Sequence, residues 1–196
     1  MKIGALAGAV ALAAAIGSAQ AGAGTPAPSP FPLPVEVRFD LVDQTGRSVD
    51  QDDFIGQPFV LFFGYANCES ICTVALPNIA HAMDILGDDG DRVLPVMITI
   101  DPERDTPEYL AEAMPLYHER FVGLTGQPAA VEAAWAAFQV QVTEIARDPA
   151  GLPIFAHGSF VYLIDADGKI QSLLPPIIGP ERMAELIEKH LLAPES

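Results

Sequence analysis

The stretch PFVLFFGY, residues 58–65, is apolar almost without interruption, and Gly56 and Asn67 bound it. A strand with one wet face would alternate apolar and polar residues. A run without alternation is buried on both faces, which places it at the centre of a sheet covered by helices on both sides. Residues 93–100, VLPVMITI, repeat the pattern. Between the two runs, Ile71, Ala75, Ile79, Met83 and Leu86 recur at helical spacing and stop at Gly87. Strand, helix and strand in this order predict a parallel crossover unit.

The rest of the chain extends the unit. Residues 35–39 alternate and residues 44–47 turn back, which predicts a β-hairpin at the N-terminal end of the domain. Thr106-Pro107 caps a helix reaching to about residue 117. Residues 121–124, 140–145 and 160–164 read as strands, and 127–138 as a helix. The turn DADG, residues 165–168, folds a last hairpin back through residues 169–173, and residues 181–192 form an amphipathic closing helix. The sum is α/β: a thioredoxin-like three-layer sandwich with a mixed central sheet.

The ends place this domain. Met1-Lys2, an apolar run over residues 3–16 and Ala19-Gln20-Ala21 have the order of a secretory signal peptide cleaved after Ala21. The competing reading, an uncleaved anchor, asks for a longer apolar run than this one, since a spanning helix needs about 20 residues. Residues 22–34, GAGTPAPSPFPLP, form a Pro/Ala/Gly tether, and residues 35–194 form one domain. The formal charge of −16 excludes nucleic acid as a partner, because phosphate binding needs a basic face.

The chain has two cysteines, Cys68 and Cys72, one helical turn apart in the segment leaving the first buried run. A disulfide there closes too short a loop to stabilise much. A helix N-terminus favours thiolate over thiol, and thiolates are good ligands for soft metals. A redox couple and a metal site therefore both remain. Of four histidines, His81 falls on the outward face of a helix, His118 in a loop and His190 in the last turn. His157, in FAHGSFVYLID, stands before a strand whose entry loop faces the cysteine loop in a thioredoxin-like fold. Two thiolates and an imidazole make a trigonal site suited to Cu(I) and open to Cu(II) with an added ligand, whereas structural zinc takes four protein ligands. Asp101, Arg104 and Asp105 read as an ion-pair and capping cluster holding the loop after the second buried strand. Met83, Met97, Met114 and Met183 read as core fillers.

Four segments in order, FFGYANCESIC, ITIDPERDTPEYL, RFVGLTG and AHGSFVYLIDADG, resemble the Sco/SenC family over nearly the whole domain. That resemblance implies Cys68, Cys72 and His157 as copper ligands, and a periplasmic metallochaperone delivering copper to the binuclear copper centre of a haem-copper (cytochrome c) oxidase. The copper-centre subunit is then the partner, with another periplasmic copper donor or a thiol reductant beside it. Glu69 and Thr73 stand where the family usually has proline, which bears on metal affinity and redox potential. The alternative is a thiol–disulfide oxidoreductase that uses Cys68 and Cys72 to reduce the oxidase's copper-site cysteines. Reductases of this fold resemble one another in a proline near the position of Ser159, absent here. The peroxidase pattern of Thr and Arg beside a single activated cysteine is likewise not matched by GYANC.

Overall fold

The computed structural model describes residues 37–66, 72–158 and 160–193. The expected signal peptide (1–21), the tether (22–34), Cys68, Glu69 and Ser159 lie outside them.

Both apolar runs are central strands. β3 (Phe59–Gly64) is buried at every position, and β4 (Leu94–Thr99) lies parallel to it, with Phe62 opposite Met97. Phe59, Phe62 and Phe63 are each at most 1% exposed. Burial on this scale contributes about 1.5–3 kcal/mol per large apolar side chain. Along β3 the side chains alternate. Phe63 meets Phe138, the C-cap of α3 (Pro128–Ala137), at 5.2 Å between ring centroids. Phe62 turns the other way, toward Gly64 and α1 (Cys72–Leu86). The three layers follow from that alternation.

The other strands build outward from this pair. β1 (Asp40–Asp43) and β2 (Ser48–Asp50) form the hairpin, β5 (Val122–Thr125) joins β1 to β4, and β8 (Val161–Ile164) runs antiparallel between β3 and β9 (Ile170–Leu174). The order is β2-β1-β5-β4-β3-β8-β9, a mixed seven-stranded sheet. α2 (Pro107–Ala113) is capped by the Thr106 side chain, which accepts from Tyr109 N–H, and it sends Leu110 and Met114 against Gly123 of β5. α4 (Pro180–Ile187) packs on α1 and continues as one π-turn, Glu188–Leu192.

Two elements differ from expectation. Residues 37–39, expected in the first hairpin, precede it, since β1 begins at Asp40 and Phe39 N–H donates to the Gln51 side chain; residues 35 and 36 lie outside the described residues. A further strand, β7 (Pro153–His157), pairs with β6 (Val142–Arg147) in a two-stranded ribbon apart from the main sheet. In β7 the inward positions are Pro153, Phe155 and His157, while Ile154 and Ala156 point outward. Apolar residues on both faces leave no polar–apolar alternation to mark the strand in the sequence.

Candidate metal site

Cys72 is the first residue of α1 and is 1% exposed. Its thiol lies against the end of β3. A Cβ on Gly64 would come within 2.8 Å of Phe62 Cε1, closer than real Cβ contacts, and 3.0 Å of Cys72 Sγ, tighter than nearly all of them. Glycine at 64 is therefore what lets the thiol and the Phe62 ring approach the strand together.

His157 ends β7 and meets that same ring edge-on, its imidazole centroid 6.2 Å from Phe62 with the planes at 66°. Nδ1 lies 3.0 Å from Gly158 O. A carbonyl only accepts, so this contact is a hydrogen bond in the tautomer with the proton on Nδ1, and Nε2 is shielded from solvent. A ligating imidazole takes this tautomer, with its second nitrogen donating to a backbone carbonyl. One aromatic ring thus neighbours both the thiol and the imidazole.

The remaining histidines sit apart. His81 is exposed on α1, and His118 Nδ1 accepts from Arg120 N–H while its Nε2 lies 3.8 Å from Asp84. His190 is in the closing π-turn, where burial and then Lys189 push its pKa down. Among the described residues, no three histidine, cysteine or carboxylate groups converge as a metal cage. Cys68 is outside that set.

The carboxylate cluster reaches farther than the loop that the sequence gives it to hold. Asp105, fully buried, accepts from Thr99 Oγ at 2.6 Å and from Ala66 N–H at 3.1 Å, so it caps the backbone two residues before Cys68. Burial first, with Asp101 adding to it, raises its pKa to about 6 against the two hydrogen bonds. Arg104 pairs with buried Asp101, donates from Nη2 to Pro153 O at 2.8 Å, and stacks over the Tyr65 ring at 5.4 Å. Tyr65 in turn meets Phe155 edge-on at 6.0 Å. Sequence spacing carries no sign of Phe62, Tyr65 or Phe155 as members of the site. Their signal is purely tertiary.

A thioredoxin-like sandwich carrying a helix-head cysteine and a histidine on facing segments defines a class of thiol-based redox and metal proteins. The profile of the SCO1/SenC family matches residues 28–192, and the chain belongs to that family. The SCO2-like protein of Rickettsia felis is 36% identical over 132 residues, which make up 67% of this chain and 64% of that protein. The chain therefore spans just under two thirds of that relative's length. The copper-bound structure of Bradyrhizobium japonicum ScoI superposes with a TM-score of 0.73 at 29% identity, over 80% of this chain and 99% of ScoI. BsSco, described as having a disulfide switch and as belonging to the Sco family of cytochrome c oxidase assembly proteins, is 24% identical. Its TM-score of 0.63, over 81% of this chain and 95% of BsSco, is a likeness of fold alone.

Proposed function

We propose that this chain is a periplasmic copper metallochaperone, which holds copper as cargo through Cys68, Cys72 and His157 and passes it to the binuclear copper centre of a haem-copper oxidase. The observation that carries this reading is the shared Phe62 ring, near which both the Cys72 thiol and the His157 imidazole lie. Two thiolates and one imidazole give Cu(I) a low-coordinate, soft donor set. A site with few ligands exchanges them one at a time with an acceptor's own thiolates. The residues preceding the domain fit export, with residues 1–21 removed and residues 22–34 as tether. Among the described residues no helix is long and apolar enough to cross a membrane.

Titration of the reduced mature protein with Cu(I) against a competing chelator tests the ligand set. His157→Ala is expected to weaken binding by more than the roughly 10–100-fold that loss of an outer-sphere partner costs. Cys68→Ser and Cys72→Ser each lose high-affinity binding, since serine is a poor soft-metal ligand. Oxidation of the pair abolishes binding and reduction restores it. Wild-type affinity in His157→Ala would remove the imidazole from the set.

A second reading, a thiol–disulfide oxidoreductase acting on the oxidase's cysteines, is favoured by the position of Cys72 at the head of α1. Disulfide exchange needs no imidazole. The two separate in a strain that makes only the His157→Ala protein, at low copper. Oxidase activity collapses if the chain delivers copper and stays near normal if it only reduces thiols.

A further inference from the structure

The ribbon that ends in His157 is barely attached to the body of the protein. Five of the six residues of β6 are exposed, and an isolated two-stranded ribbon is marginal in water. It does not lie flush on the sheet either. A cavity of about 300 Å³ separates it from the body, with Asp101, Glu103, Glu132 and Trp135 on one side and Glu144 and Phe155 on the other. A few specific contacts must therefore set the direction in which His157 points.

Three contacts do so, and they fall on the inward-facing positions of β7. At the His157 end, the imidazole meets Phe62. In the middle, Phe155 packs edge-on against Tyr65. At the turn end, Pro153 O accepts from Arg104. Arg104 also stacks on Tyr65, so one guanidinium supports both the middle and the outer contact. Its own direction is fixed by Asp101, which is 3% exposed and whose N–H donates to Thr99 Oγ. A planar group with several fixed donors can pair, donate and stack at once, which an ammonium cannot. Tyr65 directly follows β3, three residues before Cys68.

We propose that Arg104 is a positioning residue: it clasps the His157 ribbon to the segment that leads into the cysteine pair, and so sets the distance between imidazole and thiolates. The proposal rests on the copper-site reading above. Arg104 touches neither thiol nor imidazole and acts only through the ribbon. Losing it frees the turn end, lets the ribbon swing over the cavity, and makes capture of copper by His157 costlier in ordering.

The test uses the mature protein with Arg104→Ala, Arg104→Lys and His157→Ala, alone and combined. In the metal-free protein, Arg104→Ala is expected to speed amide hydrogen exchange at residues 142–157 at least tenfold, with β3 and β4 unchanged. Its Cu(I) affinity, by chelator competition, is expected to fall about tenfold, while the Cys68/Cys72 midpoint potential stays at the wild-type value. Arg104→Lys keeps the Asp101 pair but not the clasp, and is expected to behave like Arg104→Ala. In the His157→Ala background, removing Arg104 costs no further affinity. Unchanged ribbon exchange, or an equal loss of affinity with and without His157, overturns the clasp. Should Arg104→Ala not fold, Tyr65→Leu removes the stacking face and leaves the Asp101 pair intact, and the same two outcomes apply. If His157→Ala alone leaves Cu(I) affinity unchanged, the copper-site reading fails, and ribbon exchange still decides the clasp.

Discussion

Asp105 is a carboxyl with no exposure, held by Thr99 and by the backbone of Ala66, and burial lifts its pKa from 3.8 to about 6. In the unfolded chain it titrates near its ordinary value, so between about pH 4 and 6 the folded protein binds a proton that the unfolded chain has lost. Its contribution to stability is fully present below pH 3.8 and is lost as pH rises through about 6. A rise of that size corresponds to roughly 3 kcal/mol. Asp105→Asn keeps the shape without the charge. Denaturant unfolding at a series of pH values is expected to show wild type losing up to about 3 kcal/mol relative to Asp105→Asn from about pH 4 to about pH 7. A difference flat in pH would mean that Asp105 does not titrate there. From the sequence, Asp101, Arg104 and Asp105 are legible as a cluster, since alternating charge beside Thr-Pro marks a capped loop. Their reach to Ala66, Tyr65 and Pro153 is not, because those partners are distant in sequence and carry no charge to betray the pairing.

Where two elements meet, a single hydrogen atom decides the fit. α1 begins against the last residue of β3, and only the absence of a side chain at Gly64 leaves room for Cys72 Sγ and the Phe62 ring. Gly64→Ala is expected to cost about 1–3 kcal/mol by overpacking, with α1 shifted at its head. Chemical denaturation measures the cost, and Cu(I) competition is expected to show weaker binding from the displaced thiol. Full stability with unchanged affinity would mean that α1 has slack at Cys72. The central elements are readable from sequence because burial on both faces leaves an unmistakable composition: β3, β4 and the helix between them follow from apolar runs alone. The ribbon is only half readable. The sequence starts β6 two residues early, and it hides β7, whose inward residues are Pro153, Phe155 and His157 and whose outward ones are Ile154 and Ala156. Sequence alone thus puts His157 in an entry loop, yet it ends a strand whose orientation depends on contacts outside the sheet.

Taken as a whole, the molecule carries a formal charge of −16, a field that attracts cationic surfaces and is screened within about 10 Å at 0.1 M salt. If the acceptor presents a basic docking face, association between the two is expected to slow as salt rises from about 50 to about 500 mM, measured by stopped-flow with the acceptor's soluble copper domain. A rate independent of salt would assign docking to shape alone. The family and the sandwich are legible in four ordered segments; the strand order, in which β8 returns antiparallel beside β3, is seen only in the structure. That return has a consequence in time. The strand leading to the cysteines has β4 on one side, made soon after it, and β8 on the other, where Phe59 pairs with Ile164. Synthesis reaches β8 only after β4, β5 and the ribbon have been made, and non-local pairing of this kind is slow to form. The growing chain therefore has half of its central strand open for most of its synthesis. If the chain is exported unfolded, as proposed above, that lateness leaves its thiols open on arrival, and the compartment sets their first oxidation state before the protein has folded around them.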